Sequence, residues 1–216
     1  MKRAGERVRR VVFLGDSVTA GWEFCGVHAG NCYVSRLRAS LRTDELGVTF
    51  VSSALAGVDT RYAIKRFDRM VARQRPDLLV VMLGLNDAKP PVERPRIEPD
   101  DYRANLECLV RMAAEIGSLT MLVTPTPRFE RYEGGKRDIM PPYVAACRAV
   151  AWDYHVRCVD VHGAFAQQPT VESLIPDDVH PSPRGHVLIA SVLHEPLAEI
   201  LGVEPALRLS APVFVA

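Results

Sequence analysis

The sequence predicts a single-domain α/β/α sandwich of flavodoxin-like type, with a five-stranded, mostly parallel sheet. Five short apolar segments alternate along the chain with about five segments of helical periodicity, and no repeat or linker interrupts the series. The third apolar segment, residues 78–83, has no polar position, which is typical of a central parallel strand covered by helices on both faces. We therefore expect one domain over residues 1–216, with a basic segment at 1–9 and an apolar tail at 201–216.

The other elements follow from apolar spacing and from residues that start or stop helices. Strands are predicted at 11–14, 47–52, 119–124 and 156–161. Helices are predicted at 31–43, from 59 or 60 to about 74, from 100, from 141 to about 154, and from 183. Asp59 or Thr60 is expected to cap the second helix, and Pro196 is expected to kink or end the last one.

Three segments are predicted to be loops. Residues 22–31 contain glycines and no helical period, and residues 89–99 are rich in proline. Residues 126–140 are charged and contain glycine. Their length suits a lid, a substrate-binding segment or a plain surface insertion.

The composition limits the expected partners and compartment. The formal net charge is +1, so neither nucleic acid nor an anionic membrane is expected as a partner. The basic N-terminus is followed by only four apolar residues, and no later run is long enough to span a membrane, so a cytoplasmic protein is expected. Cys25 and Cys32 share a loop and would pair in an oxidising compartment, but two reduced thiols are favoured. No cysteine or histidine spacing suggests zinc.

The first predicted strand ends in Gly15-Asp16-Ser17, where a helix is expected to begin. Open α/β sheets bind ligands at that edge, and free backbone N–H groups at a helix start stabilise an oxyanion. Considered alone, Ser17 is better explained as a helix N-cap. Its interpretation changes because other polar or glycine positions follow strand ends in the same way.

One such position is the loop at residues 177–180, which carries a histidine and two carboxylates. A serine hydroxyl is a poor nucleophile without a base, and a carboxylate must hold the tautomer of a catalytic histidine. Asp177 precedes His180 by three residues, which lets its carboxylate turn back onto the imidazole. Asp178 is a rival, but we favour Asp177 because a two-residue spacing brings side chains together less readily.

Attack by Ser17 on an ester would create an oxyanion that needs hydrogen-bond donors. The N–H group of Ser17 is one candidate donor. Gly57 is a second, since a residue without a side chain can bring its N–H group close. Asn86 offers a neutral side-chain amide, which donates without forming an ion pair.

Together these blocks resemble the SGNH hydrolases, also called GDSL-type esterases and lipases. The matching blocks are Gly15-Asp16-Ser17, Gly57, Gly84-Leu85-Asn86-Asp87 and Asp177 to His180. The resemblance implies that Ser17 is the nucleophile, His180 the general base and Asp177 its orienting partner. It also implies an oxyanion hole made by Ser17, Gly57 and Asn86, with no cofactor and no metal. The second block departs from the family pattern because residues 51–54 contain no asparagine and the spacing after Gly57 is one residue longer.

The resemblance implies a serine esterase that works through an acyl-serine intermediate. The modest loops favour a short acyl group, such as acetyl, on a soluble small molecule or carbohydrate. Trp22 and Phe24 would wall a small acyl pocket, or would belong to the core. An acyltransferase or a thioesterase would use the same site. The sequence does not predict the oligomeric state.

Two hypotheses of other classes were weighed against the esterase. A flavodoxin-like binding module would hold a phosphate at Gly15 to Ser17, but the sequence has neither a Gly-x-Gly-x-x-Gly fingerprint nor a Walker lysine. A metal hydrolase would need a set of carboxylates and histidines, namely Asp16, Asp177, Asp178, His180 and His186. In that set His186 falls in the first turns of an apolar helix, where a structural role is favoured.

Overall fold

The computed structural model describes residues 7–88 and 95–203. Its strands are β1 (Arg10–Gly15), β2 (Thr49–Ala54), β3 (Leu78–Met82), β4 (Leu119–Val123), β5 (Phe129–Tyr132), β6 (Gly135–Asp138) and β7 (Arg157–Val159). Five of them form one sheet in the order β2-β1-β3-β4-β7, and every neighbouring pair in it is parallel. This is the flavodoxin-like strand order, so the predicted fold class is confirmed.

Helices flank this sheet. They are α1 (Ser17–Ala20), α2 (Tyr33–Ser40), α3 (Thr43–Leu46), α4 (Thr60–Lys65), α5 (Phe67–Met70), α6 (Pro99–Glu115), α7 (Pro141–Asp153), α8 (Val161–Ala166), α9 (Val171–Leu174) and α10 (Pro183–Leu201). One group is formed by α4, α6 and α7, and a second group by α2, α8 and α10. Between them every residue of β3 is buried, as the uninterrupted apolar pattern predicts.

Two predicted helices are broken in the structure. The helix at 31–43 becomes α2 and α3, because Arg42 has a left-handed backbone with φ 50°. The helix at 60–74 becomes α4, α5 and a 3₁₀ turn at 72–74, because Arg66 leaves helical geometry at φ −110° and ψ 13°. Asp59 caps α4, since its side chain accepts a hydrogen bond from the N–H group of Tyr62 at 2.8 Å.

Pro196 does not end the last helix. The helix α10 continues to Leu201 and closes at Gly202, whose φ is 69°. A proline inside a helix removes one backbone hydrogen bond. In α10 the residues just beyond it, Leu197 and Leu201, are buried, and their packing keeps the last turns helical.

The predicted loop at 126–140 contains an antiparallel hairpin made by β5 and β6. Its four-residue strands are rich in charge and show no apolar alternation, which is why the sequence pattern did not indicate strands. Its base is fixed through Asp138, which accepts hydrogen bonds from the N–H groups of Arg128 at 3.2 Å and Met140 at 3.0 Å. Asp138 also contacts Nε2 of His162 at 2.6 Å.

The register of the sheet gathers the candidate residues at one edge. The last residue of β1, Gly15, pairs with Ala54 of β2 on one side and with Met82 of β3 on the other. The loops that follow these three strands therefore meet at the same edge. This is the point where the strand order reverses, at which open α/β sheets bind ligands.

Several sequence-based expectations fall outside the described residues. They are the basic segment up to residue 6, most of the proline-rich loop (residues 89–94) and the tail from residue 204. Within the described part of the chain, no helix has both the length and the apolar character that a membrane crossing requires. The five cysteines are free, so Cys25 and Cys32 do not form a disulfide.

Candidate active site

Ser17 is the first residue of α1, a single helical turn that directly follows β1. The cap of this turn is Asp16, whose Oδ1 accepts a hydrogen bond from the N–H group of Val18 at 3.0 Å. The interpretation of Ser17 as the N-cap is therefore wrong, and its hydroxyl is left for another partner. Among the described residues, no acceptor takes the backbone N–H group of Ser17.

The partner of the Ser17 hydroxyl is His180. Its Nε2 lies 3.2 Å from Oγ of Ser17, and its Nδ1 lies 2.7 Å from Oδ2 of Asp177. A carboxylate at Nδ1 favours the tautomer that leaves Nε2 unprotonated and able to accept the serine proton. The structure thus brings Ser17, His180 and Asp177 into one hydrogen-bonded line.

Asp177 is held in place by the turn that it begins. Its Oδ1 accepts hydrogen bonds from the N–H groups of Val179 at 2.9 Å and His180 at 2.6 Å. Burial raises the pKa of this carboxyl, but the hydrogen bonds from the backbone and side chain of His180 outweigh it and hold the pKa below its usual value. Asp177 is therefore an anion at neutral pH, as the orientation of a histidine requires.

The rival carboxylate, Asp178, points elsewhere. Its Oδ1 accepts from Nζ of Lys136 at 3.0 Å, and its Oδ2 accepts from Nε of Arg131 at 2.5 Å. Both partners belong to the β5–β6 hairpin. Geometry therefore favours Asp177 over Asp178 as the partner of His180.

Asn86 bridges the first and second sequence blocks. Its Nδ2 donates to the carbonyl oxygen of Val58 at 2.9 Å and lies 3.5 Å from Oδ2 of Asp16. The amide is therefore anchored between the residue that precedes Ser17 and the residue that follows Gly57. The role of Asn86 as a donor to an oxyanion stays a prediction.

Gly57 lies in an exposed turn after β2, with φ 79°. Among the described residues, no atom beyond its chain neighbours lies within 4 Å of the position that a Cβ atom would take. The left-handed backbone of this turn favours glycine. That the N–H group of Gly57 donates to an oxyanion stays a prediction. Its neighbour Val58 contacts Asn86, so the structure brings this turn next to the third block.

Two buried carboxyl groups lie beneath the site. Burial is the main cause that raises the pKa of Asp16 to about 7; the hydrogen bond from Val18 acts against it, and the charge of Asp87 acts with it. Burial also raises the pKa of Asp87, to about 6, although Thr60 donates to it from both its N–H group and its hydroxyl. Asp87 thereby connects the start of α4 to the segment at residues 84–87. The sequence did not indicate this structural role.

The two aromatic residues of the first loop face different surroundings. The ring of Phe24 is stacked on the imidazole of His180, with 3.9 Å between ring centroids and 12° between the ring planes. Trp22 is 53% exposed and lines a separate open pocket of about 400 Å³ with His28. The core alternative is wrong for both residues, and the structure does not bring them together as walls of one acyl pocket.

Arg128 is a further residue at this edge that the sequence did not indicate. It precedes β5, and its Nη1 donates to the carbonyl oxygen of Leu85, next to Asn86. Burial lowers the pKa of its guanidinium, while the negative charges of Asp16 and Asp177 act in the opposite direction. A cation in this position offsets part of the negative charge that surrounds the site. Arg128 lies near the start of the predicted loop at 126–140, where the sequence pattern gave no signal for it.

His186 has the structural role that we expected. It is 2% exposed, and its Nδ1 accepts a hydrogen bond from the N–H group of Tyr33 at the start of α2, at 3.0 Å. Burial lowers the pKa of His186 to about 3, so the ring is neutral. Across residues 7–88 and 95–203, no group of three or more histidine, cysteine or acidic side chains is arranged to hold a metal ion.

Comparison with known proteins shows the family of this chain. The model of the GDSL-like lipase/acylhydrolase family matches residues 13–188, which is most of the chain. The chain belongs to this family. The resemblance drawn from the four blocks is thereby confirmed, and the protein is a carboxylic ester hydrolase of the SGNH type.

Two relatives and one solved structure show how far this SGNH hydrolase resembles other esterases. An acetylxylan esterase of Geobacillus stearothermophilus is 28% identical over 199 residues, which cover 84% of this chain and 90% of that protein. The isoamyl acetate-hydrolyzing esterase 1 homolog of Homo sapiens is 26% identical over 210 residues, covering 85% and 79% of the two chains. The crystal structure of an acetylxylan esterase from G. stearothermophilus has a TM-score of 0.73 and 25% identity, covering 91% and 95%.

Proposed function

We propose that this SGNH hydrolase is a serine esterase that removes short acyl groups, acetyl in particular, from a small molecule or carbohydrate. The observation that carries the proposal is the hydrogen-bonded line from Oγ of Ser17 through His180 to Asp177. A serine in contact with an oriented imidazole is the arrangement that activates a hydroxyl for attack on an ester.

In the proposed first step, Oγ of Ser17 attacks the ester carbonyl carbon while Nε2 of His180 takes the hydroxyl proton. The tetrahedral intermediate collapses, the bond to the alcohol oxygen breaks, and His180 returns the proton to that oxygen. Water then attacks the acyl-serine with His180 again as the base, the bond between the acyl carbon and Oγ of Ser17 breaks, His180 returns the proton to Oγ, and the carboxylic acid leaves. Asp177 stays ionised throughout and stabilises the imidazolium that forms in each half of the reaction.

The intermediate carries a negative oxygen, for which we propose three donors: the N–H groups of Ser17 and Gly57 and the amide of Asn86. Support comes from the unoccupied N–H group of Ser17 within the described chain and from the anchored position of Asn86. Each donor of this kind contributes about 10²–10³ in rate. Gly57 is supported more weakly, through the contact of Val58 with Asn86.

Support for a short acyl group comes from the names of two relatives, the acetylxylan esterase and the isoamyl acetate-hydrolyzing esterase 1 homolog. The acetylxylan esterase among the relatives is named for the removal of acetyl groups from a polysaccharide. We propose that the exposed ring of Trp22, which lines the pocket of about 400 Å³, contacts the alcohol or sugar part.

The test uses a fluorophosphonate probe and p-nitrophenyl esters of increasing chain length. We expect mass spectrometry to find the probe on Ser17, acetate to be the best acyl group, and Ser17→Ala to abolish both labelling and turnover. The matched control is Ser191→Ala, which removes a hydroxyl from α10 and should leave both unchanged. Turnover that survives in Ser17→Ala would overturn the serine mechanism, and a preference for long chains would overturn the acetyl assignment.

An acyltransferase would form the same acyl-serine intermediate. A thioesterase would bind a thioester at the same site and form this intermediate as well. Adding an alcohol acceptor to the acetate assay separates these outcomes, because transfer produces a new ester in place of free acetate. Faster turnover of an acetyl thioester than of an oxygen ester would assign a thioesterase. A protein that is neither labelled nor active would instead fit a binding module.

A further inference from the structure

Asp178 lies between Asp177 and His180 in the sequence, yet its carboxylate turns away from them. It faces the β5–β6 hairpin, where it meets one cation from each strand, Arg131 at 2.5 Å and Lys136 at 3.0 Å. The backbone takes part as well, because the N–H group of Phe129 donates to the carbonyl oxygen of Asp178 at 2.8 Å. Three groups of the hairpin therefore hold a single residue of the 177–180 turn.

This turn depends on an uncommon backbone conformation. Asp178 has φ 67°, in the left-handed region that residues with a side chain seldom occupy. The same turn lets Asp177 accept from the N–H groups of Val179 and His180. If Asp178 relaxed to an ordinary conformation, the carboxylate of Asp177 and the ring of His180 would move relative to Ser17.

The contact with Lys136 is sheltered from water. The side chain of Asp178 is 11% exposed and that of Lys136 is 23% exposed, whereas that of Arg131 is 74% exposed. The ammonium of Lys136 also lies 4.5 Å from the centroid of the Phe129 ring, a cation–π contact that fixes it on the hairpin. Exposed pairs contribute little, whereas removing one partner of a sheltered pair leaves a charge without compensation, so loss of Lys136 should have a larger effect than loss of Arg131.

We propose that Asp178 is a positioning residue, whose ion pairs with Lys136 and Arg131 use the β5–β6 hairpin to hold His180 in line with Ser17. The inference rests on the proposed serine mechanism. It gives the hairpin a catalytic purpose that its loop-like sequence did not indicate. Asp178 does not touch the reacting atoms; it acts through the turn that carries Asp177 and His180.

The test compares variants that break the contact from either side. Asp178→Asn removes the charge but keeps a residue that tolerates a positive φ, and Lys136→Gln removes the cation without touching the turn. A misaligned histidine slows chemistry more than binding, so each variant should lower kcat by about tenfold and leave KM nearly unchanged. The double variant should be no slower than the slower single variant, because both changes break the same contact.

The matched control is Arg137→Gln. It breaks the pair of Arg137 with Glu130, which lies in the same hairpin but does not involve Asp178. We expect kcat of this variant to equal that of the wild type. If all three variants have wild-type kcat, or if the control is as slow as Asp178→Asn, the proposal is wrong.

Labelling of Ser17 separates positioning from a loss of folded protein. The amount of probe bound at completion gives the fraction of intact sites, and the rate constant gives the reactivity of each site. Positioning predicts a labelling rate constant about tenfold lower at full occupancy, whereas mere destabilisation would lower the occupancy and leave the rate constant unchanged. If wild-type Ser17 does not label at all, the serine mechanism itself fails, which is a different outcome from equal labelling of the wild type and the variants.

Discussion

The ring of Phe24 lies flat against the imidazole of His180, with 3.9 Å between the ring centroids. These two residues come from opposite ends of the chain and meet only because the loops after β1 and before α10 share one edge of the sheet. The stack restricts rotation of the imidazole, whose two nitrogens contact Ser17 and Asp177.

We predict that Phe24→Ala lowers kcat of acetyl ester hydrolysis by about two- to tenfold, because stacked aromatic pairs contribute about 0.5–1.5 kcal/mol. KM should change less than kcat, since the ring acts on His180. Trp22→Ala provides the contrast. Its ring lines the neighbouring pocket, so the expected change is a higher KM for a bulky sugar ester with kcat for p-nitrophenyl acetate preserved. Equal effects of the two variants on both constants would contradict this division.

A second prediction concerns Asn86. Replacing it with alanine removes the side-chain donor beside Ser17 and should lower kcat by about 10²–10³, as for other oxyanion-hole donors. The fluorophosphonate reaction should slow as well, because its transition state also places negative charge on oxygen. Asn105→Ala is the control, since this amide donates to Oγ1 of Thr60 at 2.8 Å, one step from the site. We expect its kcat to stay near that of the wild type.

A third prediction uses the pH dependence of stability at Asp16. Burial raises the pKa of this carboxyl to about 7 from a usual 3.8, so the folded state binds a proton that the unfolded state releases. The wild type therefore loses stability as the pH rises through this range, by about 2 kcal/mol between pH 5 and pH 7 from this group. The variant Asp16→Asn keeps a side-chain oxygen that can accept a hydrogen bond from the N–H group of Val18, but it has no carboxyl group that titrates.

Urea unfolding of the wild type and Asp16→Asn at several pH values checks this prediction. Asp87 is present in both proteins, so the difference between their unfolding free energies reports Asp16 together with its interaction with Asp87. We expect the stability of Asp16→Asn, measured relative to the wild type, to increase as the pH rises from 4 to 8. A difference that stays constant over this range would show that Asp16 does not carry the raised pKa.

The sheet and the approximate positions of the candidate site residues could be predicted from the sequence because both depend on local patterns. The run at 78–83 is apolar at every position, and Asp177 precedes His180 by the three residues that let a carboxylate turn back. Such signals need no knowledge of distant partners. The place of Ser17 could likewise be predicted, since a strand, a glycine and a capping aspartate occur in sequence.

The features that could not be predicted depend on contacts between distant segments. The β5–β6 hairpin has a polar sequence, and its strands are fixed by Asp178 and His162, which lie outside it. Arg128 faces Leu85 only because the fold brings the two loops together. The stack of Phe24 on His180 has the same origin. Local propensity contains no information on contacts between distant segments. The sequence therefore indicated only a loop at 126–140, and it did not show what the ring of Phe24 contacts.

The last prediction concerns His186, which joins α10 to the start of α2. Burial lowers its pKa to about 3 from a usual 6.5, so the folded state excludes a proton that the unfolded state binds. The contribution of neutral His186 to the free energy of unfolding is fully present above pH 6.5. It is lost as the pH falls, and the loss reaches about 3 kcal/mol at pH 4. His186→Gln retains an oxygen that can accept from the N–H group of Tyr33, but it has no group that titrates.

We therefore expect the wild type to be more stable than His186→Gln at pH 7, and this advantage to shrink steadily as the pH falls to 4. The measurement is urea unfolding followed by tryptophan fluorescence. His28→Gln is the control, because it makes the same change at an exposed histidine. A wild-type advantage that is the same at pH 4 and pH 7 would mean that His186 is protonated in the folded protein, and that its contact with the Tyr33 N–H group is not the one described above.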